Sequence, residues 1–261
     1  MLLMRHRRFE VLDLKNRGGS AEHYWHFFLG ILIPFANYLA SGANKDLYFV
    51  RSCGPMDRFW RELKLDNVAI VDKTAIPQLA KYIQKTTLDG FDGPAHYNMK
   101  AFQNARAFLL DRCGNPEAER IKDPAGILMI NRGPSDPYYN SSIAEAKTSA
   151  SQRRSIPNFD ELVVVTKEKF GKQVNVAYLE SMSIAEQARI FSSAKVVVMQ
   201  HGAALANILW MRPGSKLIEI KPIPDWVDVP KLCGMFEVAH AVVAQASPHA
   251  PVGIEAIISA I

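Results

Sequence analysis

Short apolar runs alternate with helical patterns from one end of this chain to the other, and that alternation leaves few folds open. Strands are predicted at 9–14, 47–51, 68–71, 126–130, 174–178, 195–199, 216–220 and 239–243. Between them, helices are predicted at 23–40, 56–65, 75–85, 97–112, 183–191, 204–211, 230–236 and 252–261. The first of these is expected to bend or break near Pro34, which has no N–H to donate. Residues 88–94 hold two glycines and two aspartates and read as a loop. Ser142 with Glu145, Asn158 with Glu161, and Ser183 with Glu186 have the spacing of capping boxes. Strands separated by helices imply parallel sheets with crossover connections, an α/β fold. The stretch 113–123 is polar and charged, with Gly114 and Pro116, and reads as a linker. The expected organisation is therefore residues 1–118, residues 119–245, and a last helix in 246–261 that packs back on the first part. Two Rossmann-like domains facing a cleft are the expected architecture.

The chain has 261 residues and is 48% hydrophobic, enough for one large domain or two small ones. Its formal charge of +5 suits an anionic ligand, a nucleic acid or a membrane surface. Arg5, Arg7 and Arg8 form a basic cluster at the start. No zinc-finger pattern or aromatic-rich RNA-binding motif is present, which argues against nucleic acid. The three cysteines, Cys53, Cys113 and Cys233, are far apart and odd in number, so buried thiols are expected rather than a disulfide framework. The first ten residues lack the apolar stretch of a signal peptide, and the longest apolar run, 27–36, is too short to span a bilayer. A cytoplasmic or otherwise reducing location is expected, with no integral membrane segment. Asn140-Ser141-Ser142 matches a glycosylation acceptor, which matters only in a secreted chain.

The segment Gln200-His201-Gly202-Ala203-Ala204-Leu205-Ala206-Asn207 places small and polar residues between a strand and a helix. A helix start presents unpaired N–H groups and a positive dipole end, and small side chains let an anion approach them. The turn either binds a phosphate or diphosphate or simply packs helix on strand. Fixed positive charge is available from Arg132, directly after a strand, and from Arg153 and Arg154, before a helix. Arginine suits phosphate because its planar fork donates two parallel hydrogen bonds. Each of these could equally be a surface arginine in a loop. The dinucleotide fingerprint GxGxxG, the P-loop GxxxxGK[ST] and the GxSxG elbow are all absent. A metal-holding D-x-D is absent too. Asp89…Asp92 and Asp225…Asp228 come nearest, each spaced by three. Arginines and N–H groups are therefore expected to do the work of a metal.

The combination has a pattern. Ile130-Asn131-Arg132, then Arg154-Ser155-Ile156-Pro157-Asn158 and Glu161-Leu162, resembles the paired (I)xR…RxIxNxxEL signature of glycosyltransferase family 61. Leu179-Glu180-Ser181-Met182-Ser183, Glu186-Gln187 and Phe191-Ser192-Ser193-Ala194 are similar to that family's E-x-(L/M)-S-x-x-E-Q segment and its continuation. The run from His201 to Met211 resembles HGAGLTNLLFM, and Pro213-Gly214-Ser215 with Leu217–Ile220 resembles PGSxVIEI. The motifs keep their order over residues 126–222. Ala204 stands where the family usually has glycine, and Phe159 replaces a common acid. The first 120 residues match weakly, through His26-Phe27-Phe28. The acid often found four positions after that histidine is Gly30 here, so a catalytic histidine lacks an obvious orienting partner.

The resemblance implies a GT-B architecture, with the donor in the C-terminal domain and the acceptor held mainly by the N-terminal one. It implies an inverting, metal-independent transferase moving a sugar from a UDP-sugar to a glycan hydroxyl. Xylose is slightly preferred over N-acetylglucosamine or arabinose. No cofactor besides the donor substrate is expected. An inverting displacement needs a base, and His26 is the first candidate because imidazole titrates near neutrality. His23 is the second, with Asp92 and Glu22 behind it. His26 could instead be structural, packed among Trp25, Phe27 and Phe28. Donor contacts are expected from Arg132, Arg154, Asn158, Glu180, His201, Gly202, Ala203, Ala204, Asn207 and Glu219. Among these, His201 either bonds phosphate or holds the turn, and Glu219, read at a strand end, either meets ribose or caps the next loop. Glu180 either lies near the base or ribose or leaves that role to its backbone neighbours, and Glu186 reads as a helix cap. A catalytically inactive sugar- or polyanion-binding module with a GT-B-like fold is the alternative. A nucleotide-sugar epimerase would need a dinucleotide fingerprint or a matched acid/base pair, and neither is visible.

Overall fold

The computed structural model describes residues 8–114, 125–222 and 228–261, without the side chain of Asp228. Arg5, Arg7, most of the polar stretch 113–123 and the Asp225…Asp228 pair lie outside what it describes. The chain divides into two units, Met1–Arg112 and Cys113–Ile261. Each has its own parallel sheet, so the alternating pattern does give an α/β fold.

In the first unit the order is β1 (Phe9–Lys15), α1 (Tyr24–Phe27), α2 (Ile33–Ala40), β2 (Leu47–Arg51), α3 (Asp57–Glu62), β3 (Val68–Val71), α4 (Ala75–Leu79), β4 (Gln84–Asp89) and α5 (Met99–Arg112). A wider π-helical stretch, Phe28–Leu32, joins α1 to α2. The expected interruption near Pro34 is therefore this widening. That proline follows directly on the π-helical stretch, within a helix that continues unbroken from Tyr24 to Ala40, and the widened turn takes up its missing N–H. Residues 27–36 are buried all round, as their uninterrupted apolarity requires. Phe35 packs edge-on to Trp60 at 4.9 Å between centroids, and Phe27 lies 5.8 Å from Phe59.

Strand β4 is a correction. The predicted helix 75–85 ends at Leu79, and Gln84–Asp89 pairs with β1 at the sheet edge. Its sequence QKTTLD has no apolar alternation to betray it. It is held partly by a polar contact, because Thr86 donates to the buried Glu10 at 2.6 Å and Tyr38 donates to the other Glu10 oxygen at 2.9 Å.

The second unit runs β5 (Ile127–Asn131), α6 (Ala150–Arg153), α7 (Phe159–Phe170), β6 (Val174–Tyr178), α8 (Ile184–Ser193), β7 (Val196–Gln200), β8 (Lys216–Lys221), α9 (Asp228–Met235), β9 (Ala239–Ala244) and α10 (Ile254–Ala260). A 3-10 helix, Ala203–Trp210, follows β7. Strand β7 is buried at every position, which explains its unbroken apolar run. Helix α10 packs on β9 and α7, with Val252 and Ile257 in the core of this unit.

Of the three capping boxes, only Ser183–Glu186 forms. No helix starts at Ser142, and α6 begins at Ala150. Asn158 stands at the start of α7, but its amide is spent on Val252, accepting from the N–H at 2.9 Å and donating to the carbonyl at 3.0 Å.

Sheet order positions the sites. The first sheet reads β3-β2-β1-β4 and the second β6-β5-β7-β8-β9. In the first the chain steps outward from β1 to β3, then returns to the other side of β1 as β4. In the second it steps from β5 to β6, then returns beside β5 as β7. At β5/β7 neighbouring connections leave in opposite directions, opening a crevice at the carboxyl ends of those strands where ligands of open α/β sheets bind. At β1/β4 the helix after β4, α5, packs on α2, and the crevice lies where the loops after the two strands come together.

Candidate active site

The β5/β7 crevice brings together the arginines and the small-residue turn. Arg132, just past β5, donates from Nη2 to the backbone carbonyl of His201 at 2.7 Å, and from Nη1 to that of Ala150 at 3.4 Å. Arg154 donates to the same His201 carbonyl at 3.4 Å. Burial and the neighbouring Arg154 charge lower the Arg132 guanidinium from 12.5 to about 10, against the pull of Glu180. Burial, with Arg153, lowers Arg154 as well. Both stay charged at neutral pH. Neither forms an ion pair with a carboxylate among the described residues. The Nε of Arg132 is buried without a partner there.

Gly202 makes this convergence possible. Its φ of +151° is one that side chains rarely adopt. An added Cβ would collide with Nη2 of Arg132 and lie 3.3 Å from Nη1 of Arg154. The following 3-10 helix begins with its first donors open: the N–H groups of Gly202, Ala203 and Ala204 make no hydrogen bond among the described residues. Ala203 and Ala204 are half-buried.

The remaining predicted donor residues separate by role. The His201 ring is buried and bonds Glu219 through Nδ1, so its carbonyl, not its ring, meets the arginines. Glu219 lies within β8, not at its end, and its second oxygen accepts from Nε2 of His240 at 2.8 Å. Burial alone would raise the Glu219 carboxyl, but the hydrogen bonds from His201 and His240 bring it down to about 2. His240, on β9, had no sequence signal. Asn207 is fully buried and donates to Gln187 at 3.0 Å, tying the 3-10 helix to α8. Glu180 accepts from the Gly133 N–H at 2.9 Å and sits close enough to oppose the depression of Arg132. Asn158, committed to Val252, holds the C-terminal segment.

The β1/β4 crevice holds the other cluster. His26 Nδ1 meets Asp92 Oδ2 at 2.8 Å. Asp92 Oδ1 accepts from the Arg17 N–H at 2.6 Å, and its backbone carbonyl accepts from Trp25 Nε1 at 3.3 Å. The Asp92 side chain is completely buried, whereas 21% of the His26 side chain is exposed. Asp92 thus fixes the ring of His26, and the imidazole is the exposed member of the pair. His23 precedes α1 and forms no side-chain cap. Glu22 is buried. The acid missing at position 30 is thus supplied after β4. Gly30 makes room for it, because a Cβ there would lie 3.0 Å from Asp92 Cγ and 2.6 Å from Asn16 Cβ. Gly19, at φ +61°, lies against His26, where an added Cβ would clash with the ring, most closely at Nε2.

No group of three or more His, Cys, Asp or Glu among the described residues could hold a metal ion. No helix among them is long and apolar enough to cross a membrane. In chemical terms, one crevice offers an oriented imidazole and the other fixed cations with open N–H groups.

A sequence model of the family Glycosyltransferase 61 matches residues 24–218. Over 80 residues the chain is 35% identical to the xylan glycosyltransferase MUCI21 of Arabidopsis thaliana, which covers 30% of this chain and 16% of that protein. It is 34% identical over 74 residues to protein O-linked-mannose β-1,4-N-acetylglucosaminyltransferase 2 of Tetraodon nigroviridis, covering 28% of this chain and 13% of that one. The human protein of the same name is 31% identical over 74 residues. The matched segments thus span only a small part of these relatives. The family match spans most of the chain and includes His26, Asp92, Arg132, Arg154 and His201. This chain belongs to glycosyltransferase family 61.

Proposed function

We propose that the chain is an inverting glycosyltransferase that moves a sugar from a UDP-sugar to a hydroxyl of a glycan acceptor without a metal ion. The observation that carries this reading is the Arg132–Arg154 pair, held at one carbonyl without a carboxylate partner among the described residues. Bringing two guanidinium groups together in a buried place is costly unless an anion completes the site. A diphosphate has the charge and the oxygens to do so, and the open N–H groups at 202–204 add donors.

In the reaction the acceptor oxygen attacks the anomeric carbon on the face opposite the diphosphate. A carbon–oxygen bond forms there as the bond to the diphosphate oxygen breaks. That oxygen leaves with the electron pair, and the arginines stabilise its growing charge. The hydroxyl proton passes to Nε2 of His26, whose Nδ1–H is held by Asp92. A GT-B arrangement, with the two units facing a cleft, belongs to the proposal. So does the division between an acceptor-side unit at 1–118 and a donor-side unit at 119–245. A slight preference for xylose over N-acetylglucosamine and arabinose also belongs to the proposal. An inactive binding module is disfavoured because the His26–Asp92 pair has the geometry of a working base.

The test is a thermal-shift panel of UDP, UDP-xylose, UDP-N-acetylglucosamine and UDP-arabinose, followed by donor hydrolysis without acceptor. A ligand at a hundred times its dissociation constant stabilises by about 2.7 kcal/mol. Hydrolysis of a stabilising donor, unaffected by excess EDTA, is expected. Absence of stabilisation by every UDP compound overturns the donor class. Binding without hydrolysis or transfer favours the inactive module. Loss of activity in EDTA with recovery on manganese overturns the metal-free mechanism.

A further inference from the structure

We propose that Glu219 and His240 are positioning residues for the diphosphate site, acting through His201 as a relay across three neighbouring strands. This rests on the donor-site reading above and deepens it. The relay starts on β9, where His240 pairs in register with Leu217 of β8. Glu219 is two residues along β8, on the same face, so the His240 ring reaches it diagonally. Glu219 Oε2 accepts from His240 at 2.8 Å, and Oε1 accepts from Nδ1 of His201. The His201 N–H is also fixed, donating to the Ile220 carbonyl at 2.8 Å. With ring and N–H both tied to β8, the His201 carbonyl is aimed at Arg132 and Arg154. The charges acting on Arg132 are those of Arg154, Glu180 and Arg153. Glu219 therefore works by geometry: it holds the peptide that holds the arginines.

A purely structural role would show in stability alone, so the readout is ligand affinity. UDP and inorganic pyrophosphate are titrated calorimetrically, well below the melting temperature, into wild type, His240→Ala, His240→Gln, Glu219→Gln and Arg132→Ala. His240→Ala is expected to weaken both ligands about fivefold to tenfold, the scale of one positioned hydrogen bond. His240→Gln, whose amide can still donate to Glu219, restores most of that loss, and Glu219→Gln falls between. Unchanged affinity in His240→Ala and Glu219→Gln, with weakened binding in Arg132→Ala, overturns the relay alone. Unchanged affinity in Arg132→Ala overturns the donor site itself. A wild type that takes up neither ligand overturns both.

Discussion

The two crevices both lie past the ends of paired parallel strands and are furnished in opposite ways. At β1/β4 a buried carboxylate holds a partly exposed imidazole by its Nδ1. At β5/β7 two guanidinium groups share a carbonyl, with no carboxylate paired to either among the described residues. The difference teaches that the carboxyl ends of adjacent parallel strands supply a place, while the chemistry is set by the few residues just past each strand end. Glycines shape both places, Gly30 making space for Asp92 and Gly202 making space for Arg132.

The sharpest way to break this contrast is at His26. His26→Ala should lower turnover by about a hundredfold or more, the usual scale of general-base loss. His23→Ala should stay close to wild type. Steady-state kinetics on a hydrolysed or transferred donor check both, and an inactive His23→Ala beside an active His26→Ala would move the base to the other histidine. Next is the space around Asp92. Gly30→Ala forces a methyl group into contact with Asn16 and Asp92, and should cost about 1–3 kcal/mol of stability, as overpacking does. A denaturant midpoint equal to wild type would show that the pocket yields freely. In the other crevice, Gly202→Ala should push Arg132 aside and weaken UDP about tenfold, roughly 1.4 kcal/mol, the worth of a charge-assisted contact. Unchanged UDP affinity there would separate Arg132 from the phosphates.

The same contrast can be tested through pH. The Glu219 carboxyl is lowered from 4.5 to about 2 in the folded chain. Between those values the unfolded chain binds more protons, so the stabilisation is fully present above about pH 4.5 and is lost as pH falls towards 2. Glu219→Gln should flatten that acid limb in chemical denaturation at stepped pH. An acid limb as steep as that of wild type would assign the loss to other carboxylates.

Legibility in the sequence also divides between the crevices. The second was readable because its signals are local. Gly202 to Asn207 form one turn and helix start, the Ser183–Glu186 box spans four residues, and each arginine follows or precedes a recognisable element. The first was not, because its pair joins residues 66 apart through a strand with no hydrophobic pattern. His26 was visible as a candidate, but Asp92 as its partner was not. His240 escaped for the same reason, since sheet register alone brings it to Glu219. Asn158 misled because a capping residue can satisfy a distant backbone as well as its own helix. The alternating α/β plan came through because buried parallel strands are apolar throughout. β4 did not, because it is polar and on the edge.

The central claim is that proton handling and diphosphate binding are separate tasks of the two crevices. Calorimetric titration of UDP into His26→Ala and Arg132→Ala, beside wild type, tests it most directly. The expected result is a wild-type dissociation constant for His26→Ala and one more than tenfold weaker for Arg132→Ala, a loss of about 1.4 kcal/mol or more. Equal weakening in both variants, or weakening in His26→Ala alone, would contradict the division.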